Sequence, residues 1–176
     1  MQNRNIRRMI GLPILDKMFD EQGSLRMYAN ILVSTDGSDV AKKGVQHGIA
    51  LAKALNAKVT VITITEPVPV FYGSGHASGW IPAQEDFDAV CEEFAGKVLD
   101  EARAMAEQIG ISADLLHTPN AHPATAIIET AKARGCDLIV MGSRGRRGFS
   151  KLLLGSQTSE VLAHGSVPVL VVAIAE

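Results

Sequence analysis

Cysteine is almost missing from this 176-residue chain: Cys91 and Cys136 stand far apart, in no Cys-x-x-Cys or Cys/His ligand spacing. That excludes a disulfide scaffold and a cysteine-built metal site, and both thiols read as reduced core residues. Aromatic residues are scarce at 5%, so the core must come from Val, Ile, Leu and Ala. No apolar run reaches the ~18 residues of a membrane helix. A formal net charge of -2 lacks the basic excess of a general nucleic-acid binder, so any anion site must be local. Arg4, Arg7 and Arg8 precede an apolar stretch, but Pro13, Asp16 and Lys17 interrupt it and no small-residue cleavage site follows. This speaks against a secretory signal and for the cytoplasm.

What is present suits one globular domain behind a short extension. In residues 1–26, Ile6, Met9, Ile10, Ile14, Met18 and Phe19 fall near helical spacing until Gly23 and Ser24 break it. Two readings stand: an amphipathic arm that packs on a partner, or a loosely docked extension. From residue 27 to residue 176 the pattern is that of a single domain. Residues 30–34 form a short apolar strand, residues 35–39 a turn, and Ser38 caps a helix whose inward face is Ala41, Val45, Ile49, Ala52 and Leu55. Residues 58–65 are a β-branched second strand. The long Pro- and Gly-bearing connection 66–82, with His76 and Trp80, has the length of a lid, a binding loop or a mobile segment.

A long helix follows, marked by Phe87, Val90, Cys91, Phe94, Val98, Ala102, Met105 and Ile109 and stopped by Gly110. Residues 113–117 are a third strand, 124–134 a helix, 137–141 a fourth strand, 155–164 a helix and 167–173 a fifth strand. Apolar strands alternating with helices predict an α/β domain, a parallel five-stranded sheet covered on both faces. In such a sheet ligands bind beyond the carboxyl ends of the strands, where the winding reverses. With the order 3-2-1-4-5, the loops after the first and fourth strands share one cleft.

The second of those loops carries the chemistry. It reads Gly142-x2-Gly145-x9-Gly155-Ser156, with Arg144, Arg146, Arg147 and Lys151 inside it. Glycines let backbone N–H groups approach an anion and permit positive φ, and a helix opening at Ser156 offers free N–H groups and a positive dipole end. The dipole alone contributes only ~0.3–1 kcal/mol. Three or four hydrogen bonds to a charged group, at ~1.5–3 kcal/mol each, approach the ~8 kcal/mol of a micromolar ligand before ordering costs. The order Gly148-Phe-Ser-Lys151 is not that of a Walker P-loop, and Gly-x-Gly-x-x-Gly is absent. A plain connector with a solvated cationic rim is the alternative.

From residue 27 onward the chain resembles the universal stress protein family, in its ATP-binding branch. The resemblance is carried by residues 28–38, by Asp137-Leu-Ile-Val-Met-Gly-Ser-Arg-Gly145, by Leu152-Leu-Leu-Gly-Ser156 and by Val167-Pro-Val-Leu-Val-Val172. It implies a Rossmann-like fold and the branch's complete signature, Gly142, Gly145, Gly155 and Ser156. By this resemblance the backbone of Gly142, Gly145 and Gly155 with the Ser156 hydroxyl holds phosphates and ribose, and Thr158 adds a second hydroxyl. Ser143, Arg144 and Gln157 complete the nucleotide-binding set, Asp36 lies by the nucleoside, and the backbone near Ile64 meets adenine. Arg146 and Arg147 either pair with phosphates or form a solvated face. The chain departs from the family at Ala121, where Gly is frequent before a residue preceding proline.

The implied function is a small cytoplasmic ATP-binding stress-response protein, a nucleotide-dependent switch with slow or no hydrolysis, with Mg2+ as a candidate companion ion. No carboxylate lies in the glycine loop; the nearest is Glu160, and His122 is an imidazole expected near the phosphates. The other histidines at 47, 117 and 164 read as structural. By resemblance a homodimer forms through residues 167–173, with no nucleic acid and no membrane. Two rivals are a nucleotide-free dimerisation module and an adenine-nucleotide α-hydrolase-like enzyme. The latter tends to carry Ser-Gly-Gly-x-Asp-Ser where this chain has Ser34-Thr-Asp-Gly-Ser38.

Overall fold

The computed structural model describes residues 27–67, 84–143 and 154–173. The extension 1–26, the loop 68–83 and the stretch 144–153 with Arg144, Gly145, Arg146, Arg147 and Lys151 lie outside the described residues. In chain order the elements are β1 (Asn30–Ser34), α1 (Asp39–Leu55), β2 (Lys58–Ile64), α2 (Gln84–Gln108), β3 (Asp114–Thr118), α3 (Pro123–Ala133), β4 (Leu138–Gly142), α4 (Ser156–His164) and β5 (Val169–Val172).

All five strands are parallel, in the order β3-β2-β1-β4-β5. The expected open sheet is therefore present. Alternation along β1 divides the core into two layers. Ile31 and Val33 join Val59, Val61, Leu138 and Val140 under α1 and α2, against Val45, Ile49, Ala52, Leu99, Ala102 and Ala106. Leu32 points to the other face, with Ile62, Ile139 and Met141 under Ala124, Ile127 and Ala131 of α3 and Val161 of α4. Burying each of the Val, Ile, Leu and Met side chains contributes ~1.5–3 kcal/mol, and each alanine methyl less.

The central register is fixed by one carboxylate. Asp137 accepts hydrogen bonds from the backbone N–H groups of Ala29 (2.8 Å) and Asn30 (3.0 Å), and the Asn30 amide donates to the Arg134 carbonyl at 2.7 Å. Ile31 then pairs with Leu138 and Val33 with Val140, so both strands end at the same height. Glycines let α1 come close to this edge. A Cβ at Gly48 would stand 2.5 Å from Val33 Cγ2, and one at Gly44 would stand 3.2 Å from the Gly142 nitrogen.

Most elements lie within a residue of their predicted bounds, and two expectations are corrected. The fifth strand starts at Val169 rather than residue 167, because Pro168 has no N–H for the ladder; its carbonyl still accepts from Ile139 N–H at 2.9 Å. Val90, expected on the inward face of the long helix, is 64% exposed. Among the described residues, no helix is long and apolar enough to cross a membrane.

Candidate functional site

At the carboxyl edge of the sheet a cleft of about 810 Å³ opens between the α1–α2 layer and the α3–α4 layer. Asp36, Ile64, Gly142, Gly155, Ser156, Gln157 and Thr158 all line it. Of the sequence-predicted site residues, these seven are thus brought together from four separate segments. Ser143 sits just behind them, buried, and Arg144 and Gly145 lie outside the described residues.

The turn after β1 is tied by its own side chains. Gly37 N–H donates to Thr35 Oγ1 at 3.2 Å, Ser38 N–H to Asp36 Oδ1 at 3.1 Å, and Ala41 N–H to Ser38 Oγ at 3.3 Å. Gly37 takes φ +78°, which a side chain would strain, so the glycine belongs to the turn. Ser38 is the predicted N-cap, in extended geometry.

The ends of the glycine loop are drawn together across β4. Ser143 N–H donates to the Val172 carbonyl, and Gly155 N–H to the Ser143 carbonyl, both at 2.8 Å. Thr158 Oγ1 donates to the Gly142 carbonyl at 3.0 Å, so this hydroxyl anchors α4 to the end of β4. The Ser143 hydroxyl is buried with no hydrogen-bond partner among the described residues.

Helix α4 begins at Gly155 without a side-chain cap, and its first intrahelical bond is from Ser159 N–H to the Gly155 carbonyl. The amides of Ser156, Gln157 and Thr158 therefore have no intrahelical acceptor. Next to it, α3 is served from outside. Pro123 has no N–H, and Ala124 N–H donates to Gln157 Oε1 at 2.9 Å. The Gln157 side chain thus caps a neighbouring helix, and what it offers the cleft is its backbone.

The glycines act differently from the sequence expectation. Among the described residues the positive-φ glycines are Gly37, Gly110 and Gly135, and Gly142 and Gly155 are not among them. Gly142 is small because α1 presses on it: an added Cβ would lie 3.1 Å from Val40 Cγ1 and 3.2 Å from the Ala41 nitrogen. Gly155 has φ -59° and ψ 151°, open to any residue, and its contribution is the cap it does not supply.

Other expectations are adjusted as follows. Cys136 is buried and Cys91 only half-buried, lining the cleft rather than the core; both are free. His117 is structural, its Nε2 lying 3.0 Å from Thr65 Oγ1. His122 and Glu160 form a loose pair at 3.7 Å beside a small recess of about 170 Å³ on α3. Among the lining residues the sequence did not assign to the site are Phe87, Val90, Cys91 and Phe94, on the first turns of α2. A signal existed in length: a 25-residue helix spans about 37 Å, against about 23 Å for the 7-residue β2, so α2 must overhang the sheet.

These features define a doubly wound α/β domain whose cleft lies where the winding reverses between β1 and β4. The chain belongs to the Universal stress protein family, whose family model matches residues 27–173. It is similar to Universal stress protein MJ0531 of Methanocaldococcus jannaschii, with 34% identity over 151 residues that cover 83% of this chain and 82% of that protein. Among solved structures, that of hypothetical protein MJ0577 from the same organism matches with a TM-score of 0.67 at 26% identity, covering 85% of this chain and 99% of the other. A universal stress protein in complex with cAMP matches with a TM-score of 0.59 at 26% identity, covering 83% and 97%.

Proposed function

We propose that this chain is a small cytoplasmic ATP-binding stress-response protein, a nucleotide-dependent switch with slow or no hydrolysis. The observation that carries the reading is the uncapped start of α4, opening on the cleft at Gly155 and Ser156. An anion there gains the dipole end together with the amides of Ser156, Gln157 and Thr158, which have no acceptor among the described residues. The complete Gly142, Gly145, Gly155 and Ser156 signature supports a phosphate chain as that anion, and the cAMP complex of a 26% identical relative supports a nucleotide.

In this reading the amides of Gly145 and of Ser156 to Thr158 with the Ser156 hydroxyl hold phosphates. Asp36 and the backbone at Ile64 stand at the nucleoside end. The donor set fits a polyanion, since it consists of N–H and O–H groups on the α4 side. Mg2+ would be carried by the phosphates, as is usual for this ion, with the Ser156 hydroxyl as a protein donor; its chemistry there is charge neutralisation. The Thr158 hydroxyl is engaged by the Gly142 carbonyl.

The reading includes residues 27–176 as the nucleotide-binding unit, 1–26 as an extension to it, and a homodimer through residues 167–173. Support for the homodimer is that β5 is an edge strand with Leu170 exposed. A nucleotide-free dimerisation module would share that edge but hold no ligand.

The test is to denature the purified protein and identify released nucleotide by mass, then titrate ATP and cyclic AMP into emptied protein with and without Mg2+. ATP is expected in the released pool, and Gly145→Val is expected to abolish binding while leaving the far-UV spectrum unchanged. Empty protein with no heat and no thermal shift on adding ATP would leave the dimerisation module as the surviving reading.

A further inference from the structure

The face of α2 that packs on the sheet begins at Ala95: Ala95, Val98, Leu99, Ala102 and Ala106 are all at most 8% exposed. The same helical stripe continues toward the N-terminus at Phe87, Val90, Cys91 and Phe94, a spacing of i, i+3, i+4, i+7. There the cleft replaces the core. Val90 is 64% exposed, the other three are half-buried, and all four line the cavity that the start of α4 also lines. The stripe is held in place by the turn after β1. A Cβ on Gly37 would come within 2.8 Å of Val98 Cγ2 and 3.4 Å of the Phe94 ring, so the turn bearing Asp36 rests directly on α2.

One cavity therefore has two chemically distinct walls. The α4 wall offers N–H and O–H groups, and the α2 wall offers two aromatic rings, an isopropyl group and a thiol. A bare polyphosphate gains nothing from the second wall, whereas a flat heteroaromatic ring does, through area removed from water and ring contact. We infer that Phe87, Val90 and Cys91, backed by Phe94, form a ring-binding wall that selects phosphate ligands carrying a flat heteroaromatic ring over phosphates without one. The inference rests on the nucleotide reading above and adds specificity-determining residues to it.

The test compares ATP with inorganic tripolyphosphate in calorimetric titrations of the wild type, Val90→Asn and Phe87→Ala. Val90 is exposed, so its replacement leaves the packed core intact. Val90→Asn is expected to weaken ATP about tenfold, the equivalent of losing most of one buried apolar side chain, and to leave tripolyphosphate within about twofold. A second readout uses Cys91 in place: alkylation with iodoacetamide, mapped by peptide mass, should be slowed by ATP and not by tripolyphosphate. Cys136 serves as the fold control, being buried, with its thiol pushed up in pKa by that burial.

ATP affinity unchanged in both variants overturns the inference while leaving nucleotide binding standing. So does equal loss of ATP and tripolyphosphate, or Cys91 alkylation indifferent to ATP. A wild-type protein that binds neither ATP nor tripolyphosphate removes the nucleotide reading and this inference with it.

Discussion

Helices α1 and α4 begin at the same edge of the sheet and are finished in opposite ways. The start of α1 is capped, with Ser38 Oγ accepting from Ala41 N–H and Asp36 Oδ1 from the N–H of Ser38 itself. The start of α4 has Gly155 where α1 has serine, and no side chain among the described residues accepts from its amides as a cap. Helix α3, between them in sequence, borrows Gln157 from α4 itself. Of these three helix starts, α1 and α3 each have one first-turn amide accepted by a side chain, and among the described residues α4 has none. In a fold that aims several helix ends at one edge, an anion site is made by withholding a cap as much as by adding a residue.

The strongest way to break that contrast is to give α4 the cap it lacks. Gly155 already has the extended geometry of an N-cap residue, so Gly155→Asp should fold and keep or slightly raise its thermal midpoint. Its carboxylate would take the free amides and repel phosphate, so ATP affinity in calorimetry should fall at least ~100-fold, the sum of lost hydrogen bonds and new like-charge repulsion. Wild-type affinity in this variant would sink the proposed role of the α4 start.

A smaller effect separates packing from binding at Gly142. The methyl group of Gly142→Ala would meet the backbone of α1, and urea unfolding should register a loss of about 1–3 kcal/mol. Unchanged stability would show that α1 can yield, and that close packing is not why this residue is glycine.

Smallest of all are the capped ends. Gln157→Ala should cost about 1 kcal/mol by uncapping α3, and Ser38→Ala about the same at α1. Each should leave ATP affinity within about threefold, since neither side chain is assigned to the ligand. A large loss of ATP affinity with unchanged stability in Gln157→Ala would move that side chain from the cap of α3 to the ligand.

Much of the fold was legible because its signals are local. β-Branched runs mark β1, β2 and β4, the three- and four-residue apolar spacing marks α1, and Ser38 announces its own cap. The order of the strands and the meeting of Asp36, Ile64 and the Gly155–Thr158 segment at one edge were legible from pattern together with family resemblance. What escaped depends on contacts between segments distant in sequence. Gln157 reaches Ala124 across 33 positions, and nothing in the local sequence around either residue points to the other. Periodicity placed Val90 and Cys91 on the apolar face of α2 correctly, but a period has no knowledge of where the sheet beneath the helix ends. Gly142 looked like a phosphate glycine because of its spacing; its contact with Val40 and Ala41 becomes visible only once α1 lies on β4.

The central claim is that the cleft binds its anion through the uncapped amides of α4. Amide chemical shifts followed by nitrogen-proton NMR while ATP is added to emptied protein test it most directly. The predicted result is that the Ser156, Gln157 and Thr158 amides move in step with occupancy, while those of Ala41 and Ala124, already accepted by Ser38 and Gln157, move little. Shifts confined to Ala41 and Ala124, or still amides in α4 at saturating ATP, would contradict it.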